Sequence, residues 1–338
     1  MSRARSAQFL AVLASTCALA LGLAACGGGG DESPEQLLEG ATLQGIESAE
    51  LDFSLDAKAG GKEGGSVDVR VSGPFQGAGK GELPQLEMSA SVKATTRGGE
   101  GVDVDFEGGL TLLPNSAYVS YEGVEYEVDP TTFAFVESAL RRAERESGEE
   151  DGEGASACQE AAGEIEVARF VDNATDEGGA DVGGAETTKV SGELDVAGAI
   201  DAGIELARSP ACSAQAETAG ELPSDAEIEE AKREVADTVR AAQVDVYVGE
   251  DEIVRRLAGG MTLEPRGDSG ASTIEFDLQL SGVNEEQQIA APQGRAKPLG
   301  DLFLKLGVNP IELLGLLQGE AGSADLGNLL EGLGGSAR

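Results

Sequence analysis

Val67-Asp68-Val69-Arg70-Val71-Ser72 alternates apolar and polar side chains with a period of two. A pleated strand sends successive side chains to opposite faces, so this period marks a strand with one dry and one wet side. The pattern spreads in both directions. Upstream, Leu51-Phe53-Leu55 alternate with Asp52, Ser54 and Asp56. Downstream, Leu86-Met88-Ala90-Val92 alternate with Glu87, Ser89 and Ser91, and Val102-Val104-Phe106 and Leu110-Leu112 continue the period. Tyr118–Tyr121 and Val124-Tyr126-Val128 read as a closing hairpin across Glu122-Gly123. Strict alternation is the mark of an antiparallel sheet, and short Gly-rich turns suit meander connections.

The flanks are helical. Ser33-Pro34 reads as an N-cap and first helical position, followed by Leu37, Leu38, Ala41 and Ile46 on one side. Asp129-Pro130 starts a second helix with Phe133, Val136 and Leu140. A short helix near Ala161–Phe170 precedes a Gly/Asp-rich loop, and Glu186–Leu194 reads as a strand. Val196–Ala207 reads as an alanine-rich helix, and Ser224-Asp225-Ala226-Glu227 as a capping box before Ile228, Ala231, Val235 and Val239. Three more strands come after it: Val244-Val246-Val248, Ile253–Leu263 and Ile274-Phe276-Leu278-Leu280. Pro292 ends the folded run, and leucine-rich segments at Leu299–Leu306, Ile311–Leu317 and Leu326–Leu333 read as a loosely packed tail, with capping of the domain or contact with membrane or a partner as the alternatives. About ten strands and about four helices make an α+β protein. Either the helices fill the apolar face completely, or a strongly curved sheet leaves an apolar cavity.

At the N-terminus, Arg3 and Arg5 precede an apolar run from Phe9 to Leu23. This is a secretory leader, too short for a membrane span. Leu23-Ala24-Ala25-Cys26 resembles a bacterial lipobox. The resemblance implies removal of residues 1–25 and acylation of Cys26, which anchors the chain on the outer, extracytoplasmic face of the membrane. An ordinary signal peptide with an incidental cysteine is the plainer alternative. Residues 26–33 then form a lipidated Gly-rich tether. One acyl chain holds only marginally, so stable anchoring needs several.

The net charge of −38 becomes about −40 once Arg3 and Arg5 are lost. Such a surface repels nucleic acid and anionic headgroups. The acidic stretch 144–153 lacks the spaced Asp/Asn/Gly pattern of a calcium loop and reads as solvated. With Cys17 in the leader and Cys26 acylated, Cys158 and Cys212 remain. In an oxidising compartment a disulfide is the simplest reading, worth roughly 4 kcal/mol in the chain-entropy model. Metal ligation is the rival, with no His or further Cys to support it. The absence of histidine excludes Ser-His-Asp and Cys-His triads and His-based metal sites. No phosphate loop, dinucleotide fingerprint or nucleophile elbow is present. No cofactor and no metal site are expected. Carboxylates are plentiful, but no pair stands out for glycoside hydrolysis, and Trp is absent.

Four stretches resemble the actinobacterial envelope lipoproteins of the LppX/LprAFG type, whose fold is similar to that of the periplasmic carrier LolA. They are Val67–Gly79, Glu186–Leu194 after Val182-Gly183-Gly184, Val244–Leu257, and Ile274–Pro292. The resemblance covers residues 26–292. It implies a curved antiparallel half-barrel with helices on its concave face, a lipid-binding domain over 34–297, and a cavity for multi-acylated lipids or glycolipids moved across the envelope. The resemblance also leaves room for an envelope transport partner. The family offers no ligand motif to carry over. The candidate lining is therefore the apolar sheet face itself: Val69, Val71, Leu86, Met88, Val104, Phe106, Leu112, Phe276 and Leu278. The cysteine pair, the acidic loop and the 298–338 tail are departures from the family. A non-enzymatic surface or scaffold lipoprotein binding another envelope protein is the alternative that the tail suggests.

Overall fold

The computed structural model describes residues 33–61, 64–77, 83–96, 103–135, 137–138, 167–210, 212, 224–264 and 270–307. In chain order these form α1 (Pro34–Gly40), β1 (Ser48–Ala59), β2 (Gly65–Gln76), β3 (Gln85–Thr96), β4 (Asp103–Leu113), β5 (Ser116–Tyr121) and β6 (Val124–Glu127). After a 3-10 turn at Val167–Phe170 come β7 (Val171–Val182), β8 (Ala185–Leu194), α2 (Val196–Arg208), α3 (Asp225–Thr238), β9 (Val239–Gly249), β10 (Val254–Leu263), β11 (Ser272–Ser281), β12 (Lys297–Pro298) and α4 (Leu299–Leu306). Twelve strands are described, against about ten expected; β7 and β12 are the additions. Cys26, Cys158, the acidic stretch 144–153, the segment 161–166 and the tail beyond 307 lie outside the described residues. The chain divides into two compact units, one of Met1–Ile46 with Ala143–Ser281, the other of Glu47–Arg142 with Gly282–Arg338.

In the first unit the strands lie in the order β11-β10-β9-β8-β7, each antiparallel to its neighbour. The alternating Val244, Val246 and Val248 point into a core with Val190 and Val254, and Leu38 and Ala41 of the N-terminal segment pack on them. Helix α1 begins as its sequence predicts. The Ser33 hydroxyl accepts from the Gln36 N–H, the Gln36 side chain accepts from the Ser33 N–H, and Pro34 opens the first turn. Ser33→Ala is expected to cost about 1 kcal/mol, the usual loss of an N-cap, read as a lowered urea midpoint of the full chain. Just past α1, Thr42 is stitched to the start of β10: its N–H donates to the Glu252 carbonyl and its carbonyl accepts from the Val254 N–H, both at 2.8 Å.

The Gly/Asp-rich loop expected before Glu186 is instead strand β7. Its pairing with β8 carries two register shifts, near Asn173 (φ 54°) and Gly178 (φ 90°). These bulges let a polar, Gly-containing segment serve as an outer strand. Gly183 and Gly184, with φ 60° and 85°, form the two-residue turn to β8. Asp195 caps α2, and Ser224 and Glu227 form the reciprocal box expected at the start of α3. The two helices are joined by ion pairs Arg208–Asp225 and Lys232–Asp201.

In the second unit β1 to β6 form the expected antiparallel meander, with strand order β12-β6-β5-β4-β3-β2-β1. The Glu122-Gly123 hairpin adopts positive φ at both turn residues, 50° and 71°. The Asp129 carboxylate accepts from the Thr131 and Thr132 N–H groups and the Thr132 hydroxyl, which caps the helix beginning at 130. Those bonds, the hydroxyl's first, hold Asp129 below the usual carboxylate range. Phe133 on that helix is buried with Leu83, Ala117, Leu112 and Val128. The Val136 side chain and Leu140 lie outside the described residues.

Pro292 does not end the folded run. Lys297-Pro298 pairs in parallel with Tyr126-Glu127, and α4 packs against β6. A two-residue pairing and a helix with one buried side chain, Leu302, are too short to show a period. Gly307 closes α4 in the left-handed conformation (φ 67°).

Candidate functional site

Cross-strand register places the alternating residues of the second unit in continuous rows. One row runs Leu55, Val69, Val92, Phe106 across β1 to β4. The next runs Phe53, Val71, Ala90, Gly108 and on to Tyr121 and Val124. A third joins Ala57, Val67, Ala94 and Val104, and others carry Phe75, Leu86, Leu112, Ala117 and Met88, Leu110, Val119, Tyr126. The opposite face carries Asp52, Arg70, Ser72, Ser89, Lys93 and Glu107. The apolar face is therefore built by alternation alone, and no charged side chain interrupts these rows.

Seven of the nine candidate residues share this face: Val69, Val71, Leu86, Met88, Val104, Phe106 and Leu112. The face is covered at one end, where Phe133 packs on Leu112 and Ala117. Elsewhere the side chains are only half-buried, and Val67 and Leu110 remain 39% and 43% exposed. From β1 to β4 the sheet is about 14 Å wide, and six residues along a strand span about 20 Å. That rectangle, on the order of 300 Å² before allowing for the half-burial of its side chains, is no larger than the largest apolar patch of an ordinary monomer. Tyr121 and Phe106 meet at its rim with ring centroids 6.0 Å apart, and Gly108 leaves room for the Phe106 ring. Lys305 of α4 stands 4.9 Å from the Tyr121 ring centroid and pairs with Glu122.

The other two candidates, Phe276 and Leu278, belong to the first unit. Leu278 is 8% exposed and lies opposite Leu257. The Phe276 ring lies over Gly259, where a Cβ would sit 2.7 Å from it. Leu278 is buried while Phe276 is half-buried, and the sequence period could not show that both lie in the other unit from the remaining seven. In the first unit α1 and the 3-10 turn pack on the apolar face around Val190, Val244, Val246 and Val254.

A separate recess of about 580 Å³ in the second unit is open, lined by Gln76, Gln85, Glu286, Gln287, Gln288, Ile289 and Ala290. Its mixed polar and apolar lining differs from the apolar cavity that the family resemblance implies. Gln287 crosses it, donating from its backbone N–H to the Gln76 side chain and from its amide to the Gly282 and Glu285 carbonyls. The sequence pattern also gave no sign of a charge ladder on the first unit. There Arg256 forks onto Asp277, Lys189 pairs with Asp245, and both cations flank the Tyr247 ring, at 5.2 and 5.8 Å. Each cation has its own carboxylate, so the ladder is neutral and holds β8 to β11 in register rather than offering an anion site. Among the described residues no cluster of His, Cys, Asp and Glu could hold a metal ion.

The Lys305 hydrogen bond holds Glu122 below the usual carboxylate range, and the same bond raises Lys305. A lowered acid contributes stability above its unfolded pKa and loses it as pH falls through the folded value; a raised base loses its contribution as pH rises through its own. The α4 contact is therefore expected to hold steady at neutral pH and to weaken at both extremes. Amide exchange of α4 followed from neutral to acidic pH should show protection falling below the ordinary Glu range, and Lys305→Gln should remove that step. An unchanged acid profile in Lys305→Gln would refute the pairing.

No family model matches the chain. No curated protein matches it either. Among solved structures it matches LprF from Mycobacterium bovis at 15% identity, over 77% of this chain and 97% of that one, with a TM-score of 0.31. It also matches lipoprotein LppX from Mycobacterium tuberculosis at 13% identity, over 73% and 91%, with a TM-score of 0.25. Both belong to the LppX/LprAFG type that the strand-and-turn segments resemble.

Proposed function

We propose that the protein is an envelope lipoprotein, anchored through acylated Cys26 to the outer face of the cell membrane. It binds the acyl chains of lipids or glycolipids on the apolar face of β1–β4 and helps carry them across the envelope without catalysing a reaction. The observation that carries this reading is that face: apolar, free of charge along its rows, and half-buried over most of its residues. An acyl chain needs burial and no directional polar contact, which is what such a surface supplies. The acidic chain gains no electrostatic hold on anionic lipid, so a covalent anchor keeps it at the bilayer. A Cys158–Cys212 disulfide completes the proposal. Cys212 is 3% exposed, and intact-mass measurement before and after reduction should show the gain of two hydrogens.

The test uses the full mature chain with Cys26→Ser, stripped of lipid and titrated with a fluorescent fatty acid. Saturable binding is expected, and Val69→Asp with Val92→Asp should weaken it at least tenfold. No binding by the parent chain, or equal binding by the variant, would overturn the proposal. Native mass spectrometry of the same chain from an actinobacterial host would then identify the cargo.

A further inference from the structure

We infer that the recess between residues 282–290 and the ends of β2 and β3 binds an uncharged glycosyl group, whether or not the β1–β4 face binds lipid. That chemistry is shared by a glycolipid headgroup and a free glycan. The 282–290 segment belongs to no helix or strand, yet it is held at four points on the second unit. The Asn284 N–H donates to the Ser48 carbonyl at 2.8 Å, and the Asn284 side chain accepts from the Glu47 N–H at 2.7 Å. The Ser48 hydroxyl donates to the Glu285 carbonyl at 2.7 Å, and the Gln287 N–H donates to the Gln76 side chain at 3.0 Å. Ser48 is 2% exposed, so the β1 end of this attachment is buried. Opposite the segment, Gln76 and Gln85 form the terminal pair of β2 and β3. One wall is sheet and the other a pinned loop. The space of about 580 Å³ between them falls within the usual range of about 300–1,000 Å³ for small-molecule sites.

The lining defines the ligand by what it offers. Four of the seven lining residues are glutamines, and an amide both donates and accepts, as a hydroxyl does. Two of them are already oriented. Gln76 Oε1 accepts from the Gln287 N–H, which leaves the Gln76 NH2 group to donate. The Gln287 NH2 group donates to the Gly282 and Glu285 carbonyls, which leaves its Oε1 to accept. A donor and an acceptor are thus set before a ligand arrives, and less ordering is needed on binding. The Gln85 and Gln288 side chains make no hydrogen bond among the described residues. Ile289 and Ala290 add an apolar patch that suits the C–H face of a sugar ring. An anion would meet Glu286 and no Lys or Arg among the described lining residues. A hard cation needs several oxygen ligands, and Glu286 is the one carboxylate among those residues. A wholly apolar ligand would leave the amides unpaired. Strands β2 and β3 are paired on both sides, so they offer a peptide main chain no free edge.

The test uses the full mature chain with Cys26→Ser and saturation-transfer NMR with maltose, cellobiose and mannobiose, glucuronate being the charged control. At least one disaccharide should bind, and glucuronate should not. Gln85→Leu with Gln288→Leu removes two amides at nearly constant volume and should weaken that binding at least tenfold. Gln288→Leu alone, at an exposed position, should weaken it in the same direction with an unchanged urea midpoint. No disaccharide binding, equal binding by the double variant, or equal binding of glucuronate would overturn the site. The dodecyl glycoside of the disaccharide that binds separates the two sources. Binding at least tenfold tighter than the free sugar, weakened both by the glutamine pair and by Val69→Asp with Val92→Asp, makes the ligand a glycolipid. Equal affinity for glycoside and free sugar makes it a glycan, and the site stands. If a fluorescent fatty acid binds and no disaccharide does, the lipid-binding reading stands and the site is overturned. If a disaccharide binds and the fatty acid does not, the site stands and the lipid-binding reading fails.

Discussion

Replacing Gly73 with alanine is expected to destabilise the β1–β4 sheet by about 3 kcal/mol or more, lowering the urea midpoint and opening the amides of β2 and β3 to exchange. Gly73 sits in β2 at φ 142°, a backbone conformation that side chains rarely adopt. A Cβ there would lie 1.9 Å from the Glu87 carbonyl oxygen and 3.1 Å from the Met88 Cα. Both obstacles are backbone of β3, so no side-chain rotation relieves the clash. The neighbouring strand cannot retreat without breaking the pairs on either side, Ser72 with Ser89 and Phe75 with Leu86. Pro74, next in line, has no N–H to give the ladder, so the two residues together make a local irregularity in an otherwise unbroken register. Gly123 is the control: it also has positive φ (71°), but a Cβ there meets nothing within 4 Å. If Gly73→Ala costs no more than Gly123→Ala, close packing against β3 is not what requires the glycine.

What could be read in the sequence was local. The alternation of Val67 to Ser72 specifies a face directly, because the period and the pleat are the same thing. The Ser33 and Ser224 caps needed only residues three apart, and the Glu122-Gly123 turn only two. Strand β7 escaped because Asn173, Asp176, Gly178 and Gly179 interrupt any apolar period, and bulges absorb the mismatch. The Gly183-Gly184 pair was the signal that could have revealed it, as two glycines between two segments mark a hairpin. β12 and α4 escaped for another reason: Lys297 finds Tyr126 across some 170 residues, which no local pattern encodes. The candidate site shows the same limit. Periodicity placed all nine residues on apolar strand faces, but it could not tell that Phe276 and Leu278 lie in the first unit while the other seven lie in the second. Which element covers a face is decided by long-range packing, and Leu38 on Val190 and Val246 is an example.

That packing makes Leu38→Ala the second large effect, an expected loss of about 2–5 kcal/mol from cavity formation in a buried site. Leu38 is 1% exposed, and Val190 and Val246 beneath it are fully buried. Helix α1 has seven residues, too few to persist alone in water. Its capping box shapes the start but cannot hold it down; Leu38, Ala41 and the Thr42 bridge to β10 do that. Two outcomes can be distinguished by amide exchange. If only α1 detaches, protection is lost at the Thr42–Val254 bridge while β8 and β9 keep theirs. If the first unit unfolds as a whole, all are lost together at the lower urea midpoint. Local detachment has a consequence for the proposed anchor. With α1 docked, the tether from Cys26 to Ser33 reaches at most about 25 Å; with residues 34–46 released it reaches about 70 Å. Under the proposed anchor, Leu38 would therefore set how far the first unit can stand from the bilayer. In lipidated protein on vesicles, Leu38→Ala should lengthen the distance between a donor dye on β9 and acceptor lipids, while Leu304→Ala, at a position 82% exposed on α4, should not. An unchanged distance together with unchanged exchange at Thr42 would mean that α1 stays down without its one fully buried leucine.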